Sequence, residues 1–121
     1  MSRILVVDDD PSTRFVLRLI LEKEGYEIIE APHGEAALDV IRSDPLPDVV
    51  MTDLMMPIMG GLELIQRLRA EPRTASIRIV VVSSNPEAAR SLKASGLVDA
   101  IIGKPFDAAI LAGGIRAVAN G

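Results

Sequence analysis

The sequence predicts an α/β fold: a doubly wound parallel sheet in which five strands alternate with five helices. Three observations carry that prediction. Five short runs rich in apolar and β-branched residues recur along the chain, and the first, Arg3 to Val7, has no polar alternation, which is how a strand covered on both faces reads. Stretches with apolar residues at helical spacing separate the runs, and every parallel return needs such a crossover. Polar residues stand directly after the runs, at the carboxyl ends where open parallel sheets bind ligands. Asp8, Asp9 and Asp10 follow the first run, Asp53 the third, Ser83 and Ser84 the fourth, and Lys104 the fifth.

Each element has its own signal. Arg3 to Val7 is the first apolar run and ends at the acidic triplet. From Ser12 to Glu24, Phe15, Val16, Leu19 and Ile20 recur at helical spacing, with Gly25 placed to end the helix. Asp10, Pro11 and Ser12 are residue types that favour a helix start. Tyr26 to Glu30 reads as the second strand and Gly34 to Arg42 as the second helix. Pro45-Leu46-Pro47 forces an extended break before the third strand, Val49 to Thr52. A loop with Asp53, Pro57, Gly60 and Gly61 leads into an amphipathic helix through Leu62, Leu64, Ile65 and Leu68. Ile77 to Val82 is the strongest strand signal. Glu87 to Ser95 reads as the fourth helix, Val98 to Ile102 as the fifth strand, and Ala108 to Ala119 as the last helix. That helix carries a single charge, Arg116, and an interior Gly113-Gly114, each glycine costing about 1 kcal/mol relative to alanine. Its apolar surface, together with the fourth helix, predicts a contact face for a partner or a second copy.

The 121 residues are expected to form one domain, 1–121, with no effector domain, and a hydrophobic content of 49% is enough for a real core. Seventeen acidic against thirteen basic residues leave a net charge of −4. Direct nucleic-acid binding, which needs a basic patch, is excluded as the expectation. No apolar run approaches the ~20 residues of a membrane helix. The N-terminus lacks the apolar core of a signal peptide, and without cysteine there is no disulfide framework, so a cytoplasmic location is expected.

Three neighbouring carboxylates repel one another unless a cation offsets them. Asp8, Asp9 and Asp53 supply hard oxygen ligands, which suit Mg²⁺ or Mn²⁺. His33, the single histidine, falls in the turn opening the second helix and reads as a surface residue, so zinc is not expected. A lysine and a small hydroxyl beside a metal-bound carboxylate suit a transferring phosphoryl group. The central carboxylate can itself be the nucleophile, giving an aspartyl phosphate. The methionines at 51, 55, 56 and 59 read as packing.

The strings ILVVDDDPSTR, DVVMTDLMMPIMGGLEL, IVVVSSN and GKPF, in this order and spacing, resemble the receiver domain of two-component response regulators, chemotaxis-regulator-like. The resemblance covers essentially the whole chain. It implies a flavodoxin-like (βα)5 sheet with strand order 2-1-3-4-5 and a phospho-acceptor that takes its phosphoryl group from a histidine kinase or histidine phosphotransfer protein. Asp53 would be the phosphoacceptor, Ser83 the hydroxyl and Lys104 the lysine. Asp8, Asp9, Asp53 and the Met55 carbonyl would hold Mg²⁺, and Lys104-Pro105 would be cis. Such a domain catalyses only its own phosphorylation and dephosphorylation, and its output face shifts toward a downstream target or dimer.

Two other readings fit parts of the chain. VVDDDPS satisfies the nucleophile pattern of haloacid-dehalogenase phosphatases, with Asp8 as nucleophile and Asp10 as acid/base. A receiver-like docking module that is never phosphorylated is the third reading. Its support is a departure from the family: the aromatic residue usual a few positions before the lysine is missing from Val98-Asp99-Ala100-Ile101-Ile102-Gly103. The segments flanking the fourth helix also differ in length from the family's, and Met55 stands where the family tunes hydrolysis.

Overall fold

A computed structural model describes residues 2–43, 45–56 and 58–119, with the backbone alone at Ala88; Pro57 of the methionine-rich loop lies outside the described residues. Strands β1 (Arg3–Val7), β2 (Glu27–Ala31), β3 (Val49–Thr52), β4 (Arg78–Ser83) and β5 (Ala100–Gly103) alternate with five helices. These are α1 (Pro11–Lys23), α2 (Gly34–Ser43), α3 (Gly61–Ala70), α4 (Pro86–Ala94) and α5 (Ala108–Ala119). All strand pairs are parallel, in the order β2-β1-β3-β4-β5. The predicted architecture is thus the observed one.

Strand side chains alternate between two apolar layers. Ile4, Val6, Val49, Met51, Val80 and Val82 pack with Leu17 and Leu21 of α1 and with Leu111 and Ile115 of α5. Leu5, Val7, Val50, Ile79 and Val81 pack on the other side with Ala37, Leu38 and Ile41 of α2 and Leu64, Ile65 and Leu68 of α3. Both faces are covered, which is why the central strands β1, β3 and β4 are buried almost throughout. Among the described residues no helix is long and apolar enough to cross a membrane.

Local chemistry sets the element ends. The Asp10 side chain accepts the Ser12 amide, Pro11 opens α1, and Gly25 turns the chain at φ 95°, a conformation that costs glycine little. The fifth strand starts at Ala100, two residues later than its apolar run. Asp99 explains the difference: its amide bonds the Ile79 carbonyl and its Oδ2 accepts the Ile79 amide, both at 2.8 Å, so a side-chain bridge precedes the ladder.

The chain order reverses between β1 and β3, and their register pairs Val7 with Thr52. Asp8 and Asp53 are the next residues on adjacent strands, at the switch point where parallel sheets present ligand sites.

Candidate functional site

Asp8 leaves β1 with its side chain 3% exposed, and Asp53 leaves β3 at 14%. Lys104, at the end of β5, reaches across the sheet edge to both. Its Nζ donates to Asp53 Oδ2 at 2.8 Å and to Asp8 Oδ2 at 3.0 Å. Burial by itself pulls the Lys104 ammonium down, but the hydrogen bonds and charges of Asp53 and Asp8 outweigh it, so its pKa stands above that of ordinary lysine. The Lys104-Pro105 peptide is cis.

Asp53 is held by its surroundings. Its amide bonds the Val7 carbonyl at 3.2 Å, Thr52 Oγ1 donates to its carbonyl at 2.8 Å, and the Met55 amide donates to its Oδ1 at 3.2 Å. Gly61 opens α3 directly against this turn: a Cβ there would stand 2.1 Å from the Asp53 carbonyl oxygen, so only glycine fits. The second glycine of the pair therefore has a steric reason.

Ser83 ends β4, is 4% exposed, and accepts the Asn85 amide on its Oγ at 3.0 Å. The Lys104 amide bonds the Ser83 carbonyl at 2.8 Å, which ties the hydroxyl's strand to the lysine's. Ser84 is exposed. Met55 is 80% exposed, and its amide turns toward Asp53.

Asp9 and Asp10 do not join the acidic pair. Asp9 is exposed. Asp10 caps α1, accepting the Thr13 hydroxyl at 2.7 Å and the Ser12 amide at 3.0 Å, and these bonds hold its carboxyl below the usual range. This geometry gives Asp10 a helix-capping role. The donor set of Asp8, Asp9, Asp53 and a main-chain carbonyl suits a hard divalent cation. Among the described residues, however, no three acidic or histidine side chains already form a metal cluster. Lys104 Nζ holds one oxygen of Asp8 and one of Asp53.

Two residues had a larger part than the sequence showed. His33 caps α2, its Nδ1 accepting the Ala36 amide at 3.1 Å. Arg14 Nη1 donates to the Asp8 carbonyl at 2.6 Å. The available signal for Arg14 was a cation in the first turn of a helix, where it opposes the helix dipole.

Comparison with known proteins bears on this arrangement. The family model described as response regulator receiver domain matches residues 4–116. Protein PilH of Pseudomonas aeruginosa is 32% identical over 123 residues, covering all of both chains. Response regulator GtcR of Aneurinibacillus migulanus is 38% identical over 105 residues, covering 86% of this chain and 42% of that protein, so the chain spans less than half of its length. Among solved structures, response regulator TrrA of Thermotoga maritima in complex with Mg²⁺-BeF superposes with a TM-score of 0.85 at 34% identity, covering 98% of this chain and 99% of that one.

Proposed function

This chain belongs to the response regulator receiver family, whose function is phospho-acceptance in two-component signalling, and from that premise we propose that Asp53 is the phosphoacceptor, with Lys104 and Ser83 as its catalytic partners. The observation that carries the assignment is the Lys104 ammonium, shared between Asp53 at 2.8 Å and Asp8 at 3.0 Å. Three strand ends far apart in sequence meet at that ammonium, and of the two acids Asp53 lies on the central strand, β3.

In the proposed step an Asp53 oxygen attacks the phosphorus of a phosphohistidine or of a small acyl phosphate. The new O–P bond forms as the donor's P–N or P–O bond breaks, and the electron pair leaves with the donor nitrogen, which takes up a proton, or with the carboxylate. Lys104 neutralises one phosphoryl oxygen and the Ser83 hydroxyl donates to another. Asp8, Asp9, Asp53 and the Met55 carbonyl would hold Mg²⁺, which supplies charge neutralisation for the remaining oxygens when bound. The similar Thermotoga protein was solved with Mg²⁺-BeF. The chain catalyses its own phosphorylation and dephosphorylation and turns over no external substrate on this reading.

The donor is a histidine kinase or histidine phosphotransfer protein of the cytoplasm. Exposed Phe15, Val16 and Leu19 on α1 and a groove of about 370 Å³ lined by Thr13, Val16, Lys104 and Phe106 offer it an apolar seat beside the lysine. Phosphorylation then shifts a pre-existing equilibrium at α4 and α5, where a downstream target or a second copy docks. Exposed Ile110 on α5 supports that face.

Mass spectrometry after incubation with acetyl phosphate and Mg²⁺ tests the assignment. Wild type gains one phosphoryl mass and Asp53→Asn gains none. An unmodified wild type, or labelling that persists in Asp53→Asn and is lost in Asp8→Asn, overturns it.

A further inference from the structure

Arg14 takes no part in the phosphoryl site itself, yet its guanidinium grips the strand end that carries the acids. Nη1 donates at 2.6 Å to the Asp8 carbonyl, half of the peptide that continues into Asp9. Nε donates at 3.1 Å to Glu30 Oε1 on β2, and Arg18 Nη1 anchors the other Glu30 oxygen at 2.7 Å. The Arg14 side chain is 16% exposed against 37% for Arg18. A cation thus stands largely out of water at a helix start, a placement that the dipole disfavours. Two separate nitrogens of its planar fork bond a carboxylate and a main-chain carbonyl, whereas a lysine has one nitrogen to serve both.

The same strand end is pinned from two other directions. The Asp8 amide bonds the Ala31 carbonyl at 3.1 Å, and Asp8 Oδ1 accepts the Asp10 amide at 2.9 Å. These fix Asp8. Arg14 acts one bond further along, on the peptide plane from which Asp9 leaves, and the exposed Asp9 side chain is the acid of the pair that the fold holds least.

We propose that Arg14 is a positioning residue of the cation-binding turn, orienting the Asp8–Asp9 peptide so that both carboxylates stand ready for one divalent ion. The inference rests on Asp8 and Asp9 binding Mg²⁺. Charge and position act in opposite senses here, which makes the role testable. A guanidinium near the site repels Mg²⁺, so removing a mere charge tightens binding, whereas removing a positioning group weakens it.

The experiment is calorimetric titration of the unphosphorylated protein with Mg²⁺, comparing wild type, Arg14→Gln, Arg14→Lys and Arg18→Gln. Arg14→Gln binds Mg²⁺ roughly tenfold more weakly, within the range seen when groups that orient metal ligands are removed. Arg14→Lys loses less. Arg18→Gln, which gives up a Glu30 bond without touching Asp8, keeps wild-type affinity. Autophosphorylation of Arg14→Gln by acetyl phosphate is slow at low Mg²⁺ and recovers at saturating Mg²⁺, a split that general loosening of the fold does not produce. Affinity in Arg14→Gln equal to or tighter than wild type overturns the proposal, as does an equal loss in Arg18→Gln. If Arg14→Gln does not fold, Arg14→Lys decides, and wild-type affinity there overturns it. A wild type that takes up no Mg²⁺ overturns the metal assignment itself and is distinguished by that result.

Discussion

Replacing Lys104 with methionine removes the cation that Asp8 and Asp53 share while keeping much of the side chain's volume. Two charge-assisted hydrogen bonds are lost, at 2.8 and 3.0 Å, together worth about 3–6 kcal/mol as an upper bound. The Lys104 side chain is 21% exposed, so solvent screens part of the attraction, and the variant escapes the desolvation of an ammonium. These corrections remove about half, leaving a net loss of about 2 kcal/mol. For a domain of this size that lowers Tm by about 8 °C. The pH sign follows from the raised Lys104 pKa: the contribution is intact below about pH 10 and is lost as pH climbs through the folded-state value. At pH 7 it is fully present, so the difference is measurable by thermal or urea unfolding in metal-free buffer. Saturating Mg²⁺ then narrows the gap, because in the variant the ion meets no competing ammonium at the same oxygens and binds the native state more tightly. Equal metal-free stabilities for Lys104→Met and wild type, or identical Mg²⁺-induced shifts in both, would refute the picture of Lys104 as the cation balancing the acidic pair.

Other perturbations separate the site's parts. Gly61→Ala places a Cβ 2.1 Å from the Asp53 carbonyl oxygen, so it lowers Tm and slows acetyl phosphate labelling. By contrast, Gly113→Ala, with nothing within 4 Å of the new Cβ, raises stability by about 1 kcal/mol in urea titration. Asp10→Ala removes the α1 cap and destabilises at neutral pH. Because the Thr13 hydroxyl and Ser12 amide depress the Asp10 carboxyl, its contribution is present above the ordinary carboxylate value and vanishes as pH falls through the folded one, where the urea midpoints of variant and wild type converge. Met55→Asn gives the phosphoryl group a shorter lifetime than wild type, since an amide orients an attacking water and a thioether does not; the decay of labelled protein by mass spectrometry measures it.

What could be read in the chain depended on whether the physics was local. Strand and helix existence follow from apolar periodicity, and buried β3, with Val49, Val50, Met51 and Thr52 all inaccessible, reads as it packs. The gathering of Asp8, Asp53, Ser83 and Lys104 at one sheet edge is legible because each ends or directly follows a strand, and parallel register does the rest. Where long-range side-chain bonds decide, the residues are silent. Asp99 shortens β5 by pairing with Ile79, twenty positions away, and nothing in its local sequence says so. Arg14 and Glu30 are ordinary charges on two elements until the β1–β2 register brings the strand ends together. His33 caps α2 through a ring nitrogen, a residue type outside the usual capping set. Asp9 shows the converse: the motif names it as a ligand, while the fold leaves it exposed.

The missing aromatic leaves a question of transmission, and the hydrogen bonds around Ser83 offer a route that needs no swinging ring. Ile101 packs against the α2, α3 and α4 layer and Ile102 against the α1 and α5 layer, so neighbouring β5 side chains are divided between the two cores. A β-branched side chain wedged in a core has few alternative rotamers. Ser83 differs. Its Oγ accepts the Asn85 amide, and Asn85 directly precedes the first residue of α4, Pro86. The hydroxyl proton is the part of that group a phosphoryl oxygen would recruit, while its lone pair stays bonded to the amide. Any displacement of the hydroxyl toward Asp53 therefore pulls the entry of α4 with it. Because the Lys104 amide is bonded to the Ser83 carbonyl, the end of β5 is drawn into the same movement. Hydroxyl, lysine and the start of α4 form one hydrogen-bonded unit, so on the proposed role of Ser83 a single new bond to phosphate would bias all three.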